Sequence, residues 1–215
     1  MSKWSNRNVV AYLSPTLWES PMHIIVKTTA LLAIAATPLF AQSHPQTRDG
    51  FTISFGVGGG SAGVTCDECG TDRRTAPSGY LRLGGAIRPN LVLAGEVNAW
   101  TKKETDEGAD VTVSIGTVNL VAQWYPQTTS GFFVSGGVGT GSIRVDADIP
   151  GLGTISQHTN GFGYQAGAGY DIRLGRNFSL TPFATYFATA GGKVESTGDK
   201  IDGNVFHIGL GFTWH

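Results

Sequence analysis

From about residue 51 to the C-terminus, the chain alternates an apolar side chain with a small or polar one. A period of two puts successive side chains on opposite faces, which predicts β-strands with one apolar surface. The pattern is plainest in residues 203–215, where Phe206, Ile208, Leu210, Phe212 and Trp214 alternate with His207, Gly209, Gly211 and Thr213. Seven earlier stretches repeat it: residues 51–58, 79–87, 91–100, 111–125, 131–145, 161–172 and 178–190. In residues 111–125 the apolar side chains are odd-numbered at first (Val111, Val113, Ile115) and even-numbered later (Val118, Leu120, Ala122, Trp124). That phase change predicts a bulge near Gly116.

The connections alternate in length. Short turns fall at Pro89, Pro126 and Gly175, and long glycine-rich or acidic loops at residues 59–77, 102–110, 146–159 and 191–202. Eight strands of about ten residues, with brief turns on one rim and extended loops on the other, match a tilted membrane-crossing barrel. The fold class expected is therefore all-β: an eight-stranded antiparallel up-and-down transmembrane β-barrel. A soluble carrier barrel has the same strand number but reverses the faces, apolar inward and polar outward. Here the bulky side alternates with glycine, serine and charge, too small and polar to line a lipid-carrying cavity.

Ahead of the barrel, residues 1–21 hold no sustained period and read as an upstream extension. From Met22, a short basic region with Lys27 leads into the apolar run TTALLAIAATPLF, ending in small residues before Gln42. That run is too short for a membrane helix and suits a signal peptide over residues 22–41. Residues 42–50 then form a polar periplasmic lead, and residues 51–215 the barrel.

Charge adds an exclusion. From residue 42 onward there are 12 Lys plus Arg against 15 Asp plus Glu, a net of −3 with no basic cluster, so nucleic acid is not an expected partner. Most of the 31 glycines fall inside the alternating segments and argue for strands packed around a tight axis.

The interior supplies candidate chemistry. A turn centred on Pro89 sets Arg82 across from Glu96, both inward, as a charge-assisted pair in a narrow lumen. With Asn98, Asn119, Gln165, Asp171 and His207 on the same side of their strands, the interior reads as a polar plug and the barrel as poorly conducting. Cys66 and Cys69, in TCDECG, lie in the first long loop. The spacing also fits a redox pair or half a zinc site, but neither a helix N-terminus nor two further ligands accompany it. In an exported chain a loop-shaping disulfide is the expectation. Among the histidines only His158, beside Ser156, is placed at an outer rim, which predicts no catalytic triad and no enzyme. Asp146 and Asp148, or Glu104, Asp106, Glu107 and Asp110, have carboxylates in a spacing that could take calcium, but they read as solvated loop charges, and no cofactor is expected.

The strand count, loop asymmetry, signal peptide, inward glutamate of LAGEVNAW, and the segments LVAQWYP and LTPFATY together resemble the small OmpA/OmpX-like outer-membrane barrels. The likeness covers the whole of residues 42–215 but includes no periplasmic wall-binding domain. His207, Gly209, Phe212 and Trp214 are similar to the C-terminal assembly signal of that family, with His215 one residue beyond the usual terminal aromatic. The resemblance implies an outer-membrane location, contact with outer-membrane lipid and lipopolysaccharide, and delivery to the barrel-assembly machinery through the last strand. It also implies a monomer that serves envelope integrity and presents its loops for adhesion, with a narrow porin-like channel for small solutes, or else a lipid A-modifying enzyme, as the alternatives.

Overall fold

Every alternating segment is a strand in the computed structural model, which describes residues 46–65, 73–106, 109–149, 153–193 and 200–215. The elements are β1 (Gly50–Thr65), β2 (Arg74–Arg88), β3 (Leu91–Asp106), β4 (Ala109–Trp124), β5 (Phe132–Ile149), β6 (Gly153–Tyr170), β7 (Ile172–Arg173), β8 (Phe178–Lys193) and β9 (Lys200–Trp214). All pairings are antiparallel between chain neighbours, β6 and β7 both pair with β8, and β1 pairs with β9 to close the ring. The two-residue β7 continues β6 past Asp171 in the same register against β8. The ring therefore has eight staves.

Apart from β7, the strands that make these staves are 15 to 18 residues long, well beyond the ten or so expected. Much of what the sequence marks as loop is ladder: Gly59 pairs with Pro77, Lys103 with Thr112, and Asp146 with Ser156. At about 3.3 Å per residue and a tilt near 45°, roughly ten residues cross the hydrocarbon and the rest stand in water. The hairpins continue because their hydrogen bonding does not depend on lipid.

The same fact removes the bulge expected near Gly116. Strand β4 runs without a register shift from Ala109 to Trp124 against β3, and from Asp110 to Trp124 against β5. Odd-numbered residues point inward along its length: Ile115, Thr117, Asn119, Val121 and Gln123 are all buried. The backbone keeps its phase and the solvent changes. In the membrane the outer face is apolar, with Val118, Leu120 and Trp124 exposed. Above the membrane the outer face turns polar, with Thr112 and Ser114, and apolar residues move inside.

An interior core marks this upper region, where Ala62, Trp100, Ile115, Ile143, Phe187 and Val205 pack together. Below it the outward belt includes Phe55, Val57, Leu83, Leu120, Val138, Phe162, Ile208 and Leu210. The faces are thus those of a membrane barrel, not of a carrier. Two irregularities do occur, between Ala86 and Arg88 in β2 and between Thr189 and Gly192 in β8. The second uses Gly191 at φ +71°, a left-handed backbone that glycine adopts without strain.

Candidate functional site

The inward positions are occupied by large side chains seated against glycine. A Cβ on Gly56 would lie 2.4 Å from the Tyr80 ring, and one on Gly211 would lie 2.5 Å from the Tyr80 hydroxyl. Glycines on neighbouring strands therefore make the room that aromatic and polar groups need to reach the axis.

Arg82 and Glu96 are cross-strand partners, both buried, with Arg82 Nε donating to Glu96 Oε2. Neither stops at the other. Arg82 also donates to Gln123 Oε1 at 2.7 Å, and Glu96 Oε1 accepts from Gln165 Nε2 at 2.8 Å. Gln165 Oε1 in turn accepts from Asn98 at 2.7 Å and Asn119 at 2.8 Å. Toward the periplasmic rim, Gln123 Nε2 donates to the Tyr125 hydroxyl and Tyr125 to Asp171 Oδ2, each at 2.7 Å. Asp171 Oδ1 accepts from Thr181 at 2.8 Å, and Thr181, Thr213, Ser54 and Tyr80 continue the chain of hydroxyls. One connected network thus crosses the lumen, and shared partners satisfy charges that would be costly if buried alone.

Two seals flank this network. Above it lies the apolar core, in which Trp100 Nε1 donates to the Gly60 carbonyl at 2.9 Å. Below it the lead enters the mouth: Arg48 stacks its guanidinium 3.5 Å from the Tyr125 ring centroid and donates to the carbonyls of Thr128 and Ser130 at 3.2 and 2.7 Å. Gln46 Nε2 donates to the Asp171 carbonyl at 3.2 Å, and Arg173 donates to the Thr47 carbonyl.

His207 is fully buried, its ring edge-on to Phe183 at 4.7 Å, and His215 Nε2 lies 3.6 Å from Asp171 Oδ2. Gly209 is inward between them, while Phe212 and Trp214 face the belt. The structure therefore splits the C-terminal motif between the lumen and the membrane. His158 stands on the outer wall of β6 across from Arg144, in strand rather than loop. Asp146 and Asp148 also lie in strand, and Asp110 Oδ2 is 2.7 Å from Lys103 Nζ. Cys66, Cys69, the signal peptide and the upstream extension lie outside the described residues.

Gln46, Arg48, Gln123, Tyr125 and Arg173 escape a reading of the sequence. Parity would have found Gln123 and Tyr125, which share the odd phase of Asn119. Nothing local marks Arg48, because the two carbonyls it bonds across the mouth are about 80 residues away.

A closed, eight-staved barrel with an apolar belt outside and hydrogen-bonded charge inside is an outer-membrane barrel protein. The chain belongs to the outer membrane protein beta-barrel domain family, whose model matches residues 28–213, and it resides in the outer membrane. Among solved structures it is similar to Ail, the attachment invasion locus protein of Yersinia pestis, in complex with the heparin analogue sucrose octasulfate. That likeness has 14% identity and a TM-score of 0.57, over 77% of this chain and 99% of that one. It is also similar to Neisserial surface protein A, at 16% identity and a TM-score of 0.52, over 77% of this chain and 96% of that one. At these identities the likeness is one of fold. No curated protein sequence matches.

Proposed function

We propose that this protein is a non-conducting, non-catalytic envelope barrel that acts through its outer rim, reinforcing the membrane and presenting its hairpins for surface contact. The observation that carries the reading is the layered filling of the lumen, with the Arg82–Glu96 network held between the Trp100 core and the Arg48 lead. A barrel that commits its interior to side-chain hydrogen bonds leaves its outer surfaces for function. The similarity in fold to Ail, an attachment invasion locus protein, supports adhesion as the kind of contact.

The partners follow from the place: lipopolysaccharide and other outer-membrane lipid around the belt, and the barrel-assembly machinery for β9 during insertion. A monomer fits a ring with no unpaired edge through the belt. Export by residues 22–41 and a Cys66–Cys69 disulfide complete the proposal; N-terminal sequencing of the mature protein and mass analysis with and without reductant test them. Planar-bilayer recording tests the central reading: no discrete steps are expected from the wild-type protein. Large, steady currents abolished by Glu96→Ala would instead establish the narrow-channel alternative.

A further inference from the structure

Where the belt gives way to polar residues, four neighbouring strands set small side chains beside one another on the outer wall. Ala99 pairs with Gly116, Gly116 with Ser142, and Ser142 with Asn160. A recess of about 510 Å³ lies over this row. One row toward the membrane midplane, Val97 and Val118 on adjacent strands and Phe162 beyond Thr140 form an apolar wall, with Val118 and Phe162 more than half exposed. One row outward, Thr101, Ser114, Arg144 and His158 follow each other across the same four strands.

Arg144 differs from the other cations described in this upper region. Lys103 is held by Asp110, Lys102 and Arg74 by Glu104, and Arg73 by Asn204 and Ser61. Among the described residues no carboxylate lies within ion-pair distance of Arg144, although it is exposed. Asp146 and Asp148 stand farther from the belt on the same face, so an anion is disfavoured from above and admitted from the membrane side.

The geometry points to a seat for a phosphorylated glycolipid of the outer leaflet. Its phosphate meets Arg144 in a charge-assisted contact. Its sugars lie along the hydroxyl and amide groups of Ser114, Ser142 and Asn160, and an acyl chain descends past Val118 and Phe162. The polar row spans three inter-strand spacings of about 4.8 Å, a width that a single phosphate headgroup cannot follow and a short acylated saccharide can. The assignment rests on the reading that the outer rim works against the outer leaflet, and it adds the residues and the class of lipid.

The test is native mass spectrometry of the full mature protein, refolded in detergent and offered bisphosphorylated lipid A, its dephosphorylated form, or dioleoyl phosphatidylglycerol. One retained copy of phosphorylated lipid A per barrel is expected, in preference to phosphatidylglycerol. Ser142→Trp, which fills the recess, should lower retention of both lipid A forms. Arg144→Gln should lower retention of the phosphorylated form alone, by about tenfold or more, the scale of a lost charged hydrogen bond. Leu210→Trp, in the belt on the far side of the ring, should change neither. Equal retention of phosphatidylglycerol, or no effect of the Ser142 and Arg144 variants, would overturn the seat. Heat-modifiable gel migration of each variant separates loss of the site from loss of the fold, and single-channel recording tests the sealed-lumen reading independently.

Discussion

Arg82 has two acceptors in the lumen, so its loss and its partner's loss differ. Glu96→Ala leaves a buried guanidinium bonded to Gln123 but without its carboxylate and should cost about 3 to 5 kcal/mol, measured by urea unfolding in lipid vesicles. Replacing both partners with apolar groups of similar volume, Arg82→Met with Glu96→Leu, should cost far less than the single change, because no charge is left unpaired. A loss from the double variant as large as the single would mean that Gln123 and Gln165, stranded on either side, matter more than the ion pair. Above the belt, the hydrogen bond from Lys103, with a second from Thr105, holds the Asp110 carboxyl below the usual carboxylate range. A group whose pKa is depressed by folding contributes above its unfolded pKa and loses that contribution as pH falls through the folded one. Lys103→Ala should therefore move the Asp110 titration upward toward its ordinary value, as read by NMR, with no resolvable change in stability at so exposed a site.

At the scale of elements, the extended hairpins and the lead are the two features that change what the barrel is. The outer face of β3 and β4 is apolar only as far as Ala99 and Gly116, and Thr101 and Ser114 lie beyond it. A lysine at Leu120, inside the belt, should cost about 2 to 4 kcal/mol, whereas a lysine at Thr101 should be nearly neutral. Equal costs would show that the boundary is drawn in the wrong place. The lead spans the periplasmic mouth, tying the turn after β4 to β7 through Arg48, Gln46 and Arg173. Arg48→Ala removes a stacked cation and two carbonyl contacts, and should lower stability by about 1 to 3 kcal/mol. It should leave the lumen non-conducting, since the network and upper core remain above it.

For the whole molecule, strand number and facing were legible because a lipid solvent enforces a period of two on every stave, whereas the long loops were not, since the connection from β3 to β4 is shorter than the turn from β4 to β5. The cross-strand placement of Arg82 and Glu96 was equally readable, since a tight turn at Pro89 fixes local register. Strand length was not, because above the belt the alternation changes sides, and Val111, Val113 and Ile115 resemble a slipped strand when they are the inner wall of one that continues. Nor was the lead's role, which depends on chain segments brought together only when the ring closes. A pattern reads well where one solvent acts along an element and poorly where an element passes from one solvent to another.

Ring closure is made by β1 against β9, with Ile53 opposite Trp214 and Thr65 opposite Asp202. The first stave translated thus waits for the last, and every product shortened before it carries two raw margins. Such fragments would be sticky rather than merely weak, so the cell has to deliver this polypeptide whole before any of it is safe in the bilayer.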